Sequence, residues 1–98
     1  MIQLRAILVD DEKHSLETTA ILVRKFCPDV EILAELSSPL EALDVINEME
    51  PDLLFMDISM PKMNGFELLN ALTYKDADVI FTTAYDEHAL EGFKQGAI

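Results

Sequence analysis

The sequence predicts an α/β fold in one domain, a doubly wound parallel sheet with helices on both faces. Three observations predict it. Short runs rich in branched and aromatic apolar residues alternate with longer stretches of helical period. Three of those runs are nearly continuous in apolar residues, as strands covered on both faces are. The connections between the segments are short, and regular alternation of this kind is built from parallel neighbours with helical crossovers. At 98 residues, half of them apolar, the chain has room for a single modest core.

The elements follow in order. The first run, Ala6-Ile7-Leu8-Val9, ends at Asp10. Residues 12–27 then place Leu16, Ala20, Val23 and Cys27 on one helical stripe, with Phe26 beside it, and Cys27-Pro28-Asp29 stops the helix. The second run, Val30 to Leu36, is interrupted by Glu31 and Glu35 and so belongs nearer an edge. Ser38-Pro39-Leu40-Glu41 opens the next helix: serine as N-cap, proline at the first helical position and Glu41 placed to complete a capping box. Leu43, Ile46 and Met49 supply its inward face. The third run, Leu53-Leu54-Phe55-Met56, ends at Asp57. Asn64-Gly65 opens a third helix with Phe66, Leu69 and Leu72 inward. The fourth run is Val79 to Thr83, after which Asp86 caps a fourth helix carrying Leu90 and Phe93.

Composition narrows the function. Nineteen acidic residues oppose seven basic ones, a formal charge of −12. Such a chain repels nucleic acid and anionic lipid and suits a cation or a positively charged partner. No apolar run approaches the roughly 20 residues of a membrane span. The first residues lack the pattern of a secretory leader. A single cysteine, Cys27, forms no internal disulfide and reads as a small core residue, which fits a cytoplasmic location. His14 and His88 have no partner at metal-ligand spacing and read as surface residues.

In open α/β sheets the functional site lies outside the carboxyl ends of the strands. Here those ends carry Asp10-Asp11-Glu12, Asp57 and Thr82-Thr83. Carboxylates brought this close repel one another unless a cation joins them. Mg2+, which takes one or two carboxylates together with water and phosphate oxygens, fits that chemistry. Asp57 is then the candidate nucleophile, since a carboxylate can form an aspartyl-phosphate. The plainer alternative is that Asp10 and Asp11 cap the helix that follows them.

The segments Val9-Asp10-Asp11-Glu12, Phe55 to Gly65 (FMDISMPKMNG) and Phe81-Thr82-Thr83-Ala84-Tyr85 resemble the receiver domain of two-component response regulators, a CheY-like, flavodoxin-like fold. The DDEKHS and TTAYDEHA stretches look most like the branch that carries a LytTR-type DNA-binding domain further along the chain. The resemblance implies that Asp57 accepts a phosphoryl group from a histidine kinase. It implies Mg2+ held by Asp11 and Asp57, by Asp10 through water, and by the backbone carbonyl of Ser59. It further implies that Thr83 contacts the phosphoryl group and acts as a switch, that Ser59 and Tyr85 tune its lifetime, and that Pro61 and Gly65 shape the loop after Asp57.

One departure bears on activity. A receiver has five βα units and residues 1–98 carry four, so the expected sheet order is 2-1-3-4, a receiver truncated before its fifth strand. The family's phosphate-contacting lysine lies in that fifth unit, and Lys62 is no substitute for it. Impaired phosphorylation is therefore expected. The edge of the fourth strand and the sheet face beside the first helix are expected to be open, favouring homo-oligomers. The chain is read as a signalling module, not an enzyme. The alternatives are a structural or engineered fragment with no signalling activity and, less well supported, an aspartate-nucleophile phosphatase. The phosphatase pattern asks for a second acid two residues after the nucleophile, where this chain has Ser59.

Overall fold

The structure, a computed structural model, describes residues 3–82. Strand β1 (Leu4–Val9) is followed by α1 (Lys13–Phe26), β2 (Val30–Leu36), α2 (Pro39–Met49), β3 (Leu53–Met56), α3 (Gly65–Ala71) and β4 (Asp78–Phe81). The strands form one parallel sheet in the order β2-β1-β3-β4, the order and orientation expected. β1 lies between two neighbours, which is why Ala6, Ile7, Leu8 and Val9 are all fully buried. Alternation along that strand divides the core. Ile7 and Val9 face a layer with Ala42, Ile46, Leu54, Met56 and Leu68. Ala6 and Leu8 face Leu16 and Ala20 of α1. The helices thus cover opposite faces, α1 on one and α2 with α3 on the other.

β2 is an edge strand, as its acids suggested. Its register against β1 slips between Ala6 and Ile7, where Leu33 is the extra residue. Glu35, on the exposed side of β2, pairs with Arg24 of α1 at 2.9 Å. The helix starts follow their sequence signals. The Ser38 hydroxyl accepts from the Glu41 N–H at 3.3 Å with Pro39 at the first helical position. A complete reciprocal capping box forms at α3 instead.

Several inward faces differ from the periodicity. In α1, Leu16, Ala20 and Val23 are buried, but Cys27 is only half-buried and Phe26 stands 67% exposed, its ring under the Lys25 ammonium at 5.3 Å. The helix ends at Phe26, which lines an open groove between α1 and the sheet with Phe55 and Ile80 instead of entering the core. In α2 the fully buried residues are Ala42 and Ile46, with Leu43 and Met49 packed at the margin. In α3, Leu68 is buried, as is the C-cap residue Leu72, and Leu69 only partly so, because the helix is short and enters the core on its Phe66–Leu68 side. β4 ends at Phe81, two residues before the expected end, and Val79, Ile80 and Phe81 are half-buried, since β4 pairs only with β3 among the described residues.

The sheet end opposite the acids is closed by side chains on backbone. Arg5 donates to the carbonyls of Met49 (2.9 Å) and Glu50 (3.2 Å), the terminal acceptors of α2. Asn47 Oδ1 accepts from both the Thr73 and Tyr74 N–H groups, and the Tyr74 hydroxyl donates to the Pro51 carbonyl at 2.9 Å. Burial, with Asp76, Asp52 and Glu50 nearby, raises the Tyr74 pKa and keeps that donor protonated.

Candidate functional site

Parallel pairing continues one residue beyond the strands. The Asp57 N–H donates to the Val9 carbonyl and the Asp10 N–H to the Leu36 carbonyl, both at 3.0 Å. These bonds set Asp10 and Asp57 on one rim at the carboxyl ends of β1 and β3. Asp10, Asp11 and Asp57 each offer a carboxylate oxygen there, and the three lie within 4.8 Å of one another.

Their surroundings differ. Asp10 is 7% exposed, the one buried charged side chain among the described residues, whereas Asp57 is half-buried and Asp11 exposed. Asp10 Oδ1 accepts from the Glu12 N–H at 3.0 Å, and Asp57 Oδ1 accepts from the Ser59 N–H at 3.3 Å. Burial pushes the Asp10 pKa up; the Glu12 N–H opposes the shift, and the charges of Asp57, Asp11 and Glu12 add to it. Three hard oxygen donors at this separation suit a small divalent cation, and the like charges that raise the Asp10 pKa are what such a cation neutralises.

Glu12, counted by sequence with the acidic group, is outside it. Glu12 is the N-cap residue of α1, makes no side-chain cap bond and is exposed. The alternative role of Asp10 is realised in part, because its carboxylate closes the turn before α1 through the Glu12 N–H. His14 is exposed on α1 and Lys62 on the loop after Asp57. Thr82 is exposed and its N–H donates to the Met56 carbonyl at 2.9 Å. Thr83, Tyr85, His88 and the fourth helix lie outside the described residues.

The loop after Asp57 is anchored at both ends. Ile58 and Met60 are buried, and Lys62 adopts a left-handed backbone (φ 71°). Gly65 then donates its N–H to the Ile58 carbonyl at 2.8 Å. Its Cα faces the backbone so closely that a Cβ would sit 2.9 Å from the Asp57 carbonyl oxygen and 3.2 Å from the Ile58 Cα. The Asn64 side chain accepts from the Glu67 N–H at 2.9 Å, and Glu67 accepts from the Asn64 N–H at 3.0 Å. Phe66 packs edge-on against Phe81 of β4, ring centroids 5.3 Å apart. Asn64-Gly65 marks the helix start in the sequence, and Asn64-x-x-Glu67 is the capping-box signal that identifies Glu67 as its second member.

Comparison with known proteins agrees with this architecture. The family model for the response regulator receiver domain matches residues 6–98. An uncharacterized response regulatory protein of Vibrio cholerae is 39% identical over 95 residues, which cover 96% of this chain and 40% of that protein. The transcriptional regulatory protein BtsR of Salmonella typhi is 34% identical over 95 residues, 96% of this chain and 39% of that protein. The chain thus spans about 40% of the length of the curated relatives it matches. The crystal structure of the response regulatory domain of protein mrkE from Klebsiella pneumoniae superposes with a TM-score of 0.83 at 26% identity, covering 97% of this chain and 79% of that one. No helix among the described residues is long and apolar enough to cross a membrane. On the match over residues 6–98, the chain belongs to the response regulator receiver domain family.

Proposed function

We propose that residues 1–98 act as the phosphoacceptor module of a two-component system, with Asp57 receiving a phosphoryl group from the phosphohistidine of a histidine kinase. The observation that carries this reading is the meeting of three carboxylates from two strand ends at one rim, with Asp57 half-buried among them. Asp11 and Asp57 would hold Mg2+ directly, Asp10 through water, and the Ser59 carbonyl would complete the protein donors. The bound cation supplies charge neutralisation to the incoming phosphate. In the transfer an Asp57 oxygen bonds to phosphorus as the phosphorus–nitrogen bond breaks, and the bonding pair leaves with the imidazole. The Ser59 N–H orients the Asp57 carboxylate for that approach. Thr83 is assigned the phosphoryl contact and switch role. The module is assigned to the cytoplasm, with no nucleic acid bound through this domain, and to the branch carrying a LytTR-type output.

Labelling by a small phosphodonor such as acetyl phosphate should require both the Asp57 carboxylate and a divalent cation at the rim. Whole-protein mass spectrometry should find a single Mg2+-dependent adduct that disappears in Asp57→Asn. An adduct that persists in Asp57→Asn, or that forms equally with the metal chelated, would refute the assignment of the site.

The chain is also assigned a homo-oligomeric state in isolation. A groove of about 400 Å³ between α1 and the sheet is lined by Leu22, Val23, Phe26, Phe55, Ile80 and Thr82, and it adjoins the half-buried strand β4. A second copy covering it would bury Phe26 and Leu22, which a monomer leaves exposed. Sedimentation equilibrium should show a concentration-dependent mass that Phe26→Ser lowers; a monomer throughout would overturn this part.

A further inference from the structure

We infer that Glu67 is a positioning residue for the acidic rim, acting through the capping box at the start of α3 on the backbone that carries Asp57. The inference rests on the reading of that rim as a Mg2+ site. Glu67 is an exposed acid close in sequence to the site, yet it stands outside the group of three carboxylates. Its carboxylate turns back to its own helix and accepts from the Asn64 N–H at 3.0 Å, while Asn64 Oδ1 accepts from the Glu67 N–H at 2.9 Å.

Between these two residues sits Gly65, which has no slack. Its N–H is bonded to the Ile58 carbonyl at 2.8 Å, and a Cβ built on it would meet the Asp57 carbonyl oxygen at 2.9 Å. A shift of the first turn of α3 is therefore delivered to the two residues whose backbone presents the Asp57 carboxylate and the Ser59 N–H. The opposite side of the same turn is held by packing, with Phe66 against Phe81 and Leu68 fully buried. The Asn64–Glu67 pair is the part of this clamp not enforced by the core. It can be opened while the hydrophobic contacts persist.

A change in the groups that orient metal ligands typically lowers affinity by about 10–100-fold. Glu67 acts one step further out, so the lower end of that range is expected. Mg2+ binding to the 98-residue chain, measured by isothermal titration calorimetry, should weaken about tenfold in Glu67→Ala. Glu67→Gln should bind within about twofold of wild type, because its amide oxygen accepts the same bond. Both substitutions remove the same negative charge, so their difference isolates the cap from long-range electrostatics. Asn47→Ala supplies the control for stability alone. It removes the double acceptor for Thr73 and Tyr74 at the other end of the sheet and should leave Mg2+ affinity unchanged. Asn64→Gly opens the box from its other side with little loss of helix stability, since glycine is itself a favoured cap, and it should weaken binding as Glu67→Ala does.

The proposal is overturned if Glu67→Ala and Asn64→Gly bind as wild type does, if Glu67→Gln is as weak as Glu67→Ala, or if Asn47→Ala is weakened equally. Failure of the wild-type chain to bind Mg2+ would overturn the metal site itself and this role with it. Wild-type binding with unaffected variants would overturn only the role of Glu67.

Discussion

Asp10→Asn is expected to raise the thermal midpoint of the metal-free protein at neutral pH and to reduce the further rise that Mg2+ produces. Asp10 is buried beside two other carboxylates, and burial, then the charges of Asp57, Asp11 and Glu12, raise its pKa. A carboxyl whose folded pKa lies above its unfolded one binds more protons in the folded state between the two values. Stability then falls as pH rises through that window. Below about pH 4, the ordinary aspartate range, the penalty is absent; above the raised folded value it is fully present. Asparagine removes the charge and keeps an oxygen to accept from the Glu12 N–H.

The two proteins should therefore unfold alike in acid and diverge as pH rises. At neutral pH the variant should have the higher midpoint, each 1 kcal/mol of relieved penalty corresponding to about 4–8 °C for a domain of this size. Calorimetric scans from pH 3.5 to 8 in chelator would test the divergence. Scans in Mg2+ at neutral pH would test the second half, because a ligand that binds only the folded state stabilises in proportion to its occupancy. A variant less stable than wild type at neutral pH in chelator would show that Asp10 is satisfied as a charge and would remove the electrostatic case for a cation at this rim.

Gly65→Ala is expected to destabilise by about 1–2 kcal/mol net, the cost of forcing atoms into a packed site less the gain in helix propensity. Two effects oppose each other. At an open helix position alanine is favoured over glycine by up to about 1 kcal/mol. Here the added Cβ would meet backbone on two residues, the Asp57 carbonyl oxygen at 2.9 Å and the Ile58 Cα at 3.2 Å, with Met56 Sδ at 3.4 Å behind them. Backbone held by the β1–β3 ladder and the buried Ile58 side chain cannot move aside as a flexible side chain would. The clash therefore outweighs the gain in propensity, and its relief pushes on the Asp57 carboxylate. Urea unfolding should show a lower midpoint with an unchanged slope, and an equal or higher midpoint would mean that the loop yields freely.

How far the site is legible in one dimension depends on the kind of interaction. Asp10 and Asp57 could be placed together because each ends an apolar run, and parallel strands deliver their carboxyl ends to one rim. Glu12 could not be separated from them by the same rule. The turn closed by the Asp10 carboxylate leads straight into α1, so Glu12 becomes its N-cap residue and leaves the group. Cys27 and Leu69, placed inward by period, are only partly buried for a related reason. Periodicity predicts which residues share a helix face, but exposure depends on where the helix stops relative to the sheet beneath it.

The sequence by itself determined the alternation of strands and helices, the caps at Ser38 and Asn64, the edge character of β2 and the identity of the acids at the strand ends. Each of these is set by interactions between residues near one another in the chain, or by an apolar pattern with a fixed period. The tertiary structure alone decided that Asp10 is the buried member of the three carboxylates, that Gly65 is pressed against the Asp57 backbone, and that Phe66 meets Phe81. Those contacts join segments whose distance and orientation are set only when the β1–β3–β4 ladder and the helix layers pack together, and side-chain burial follows from that packing.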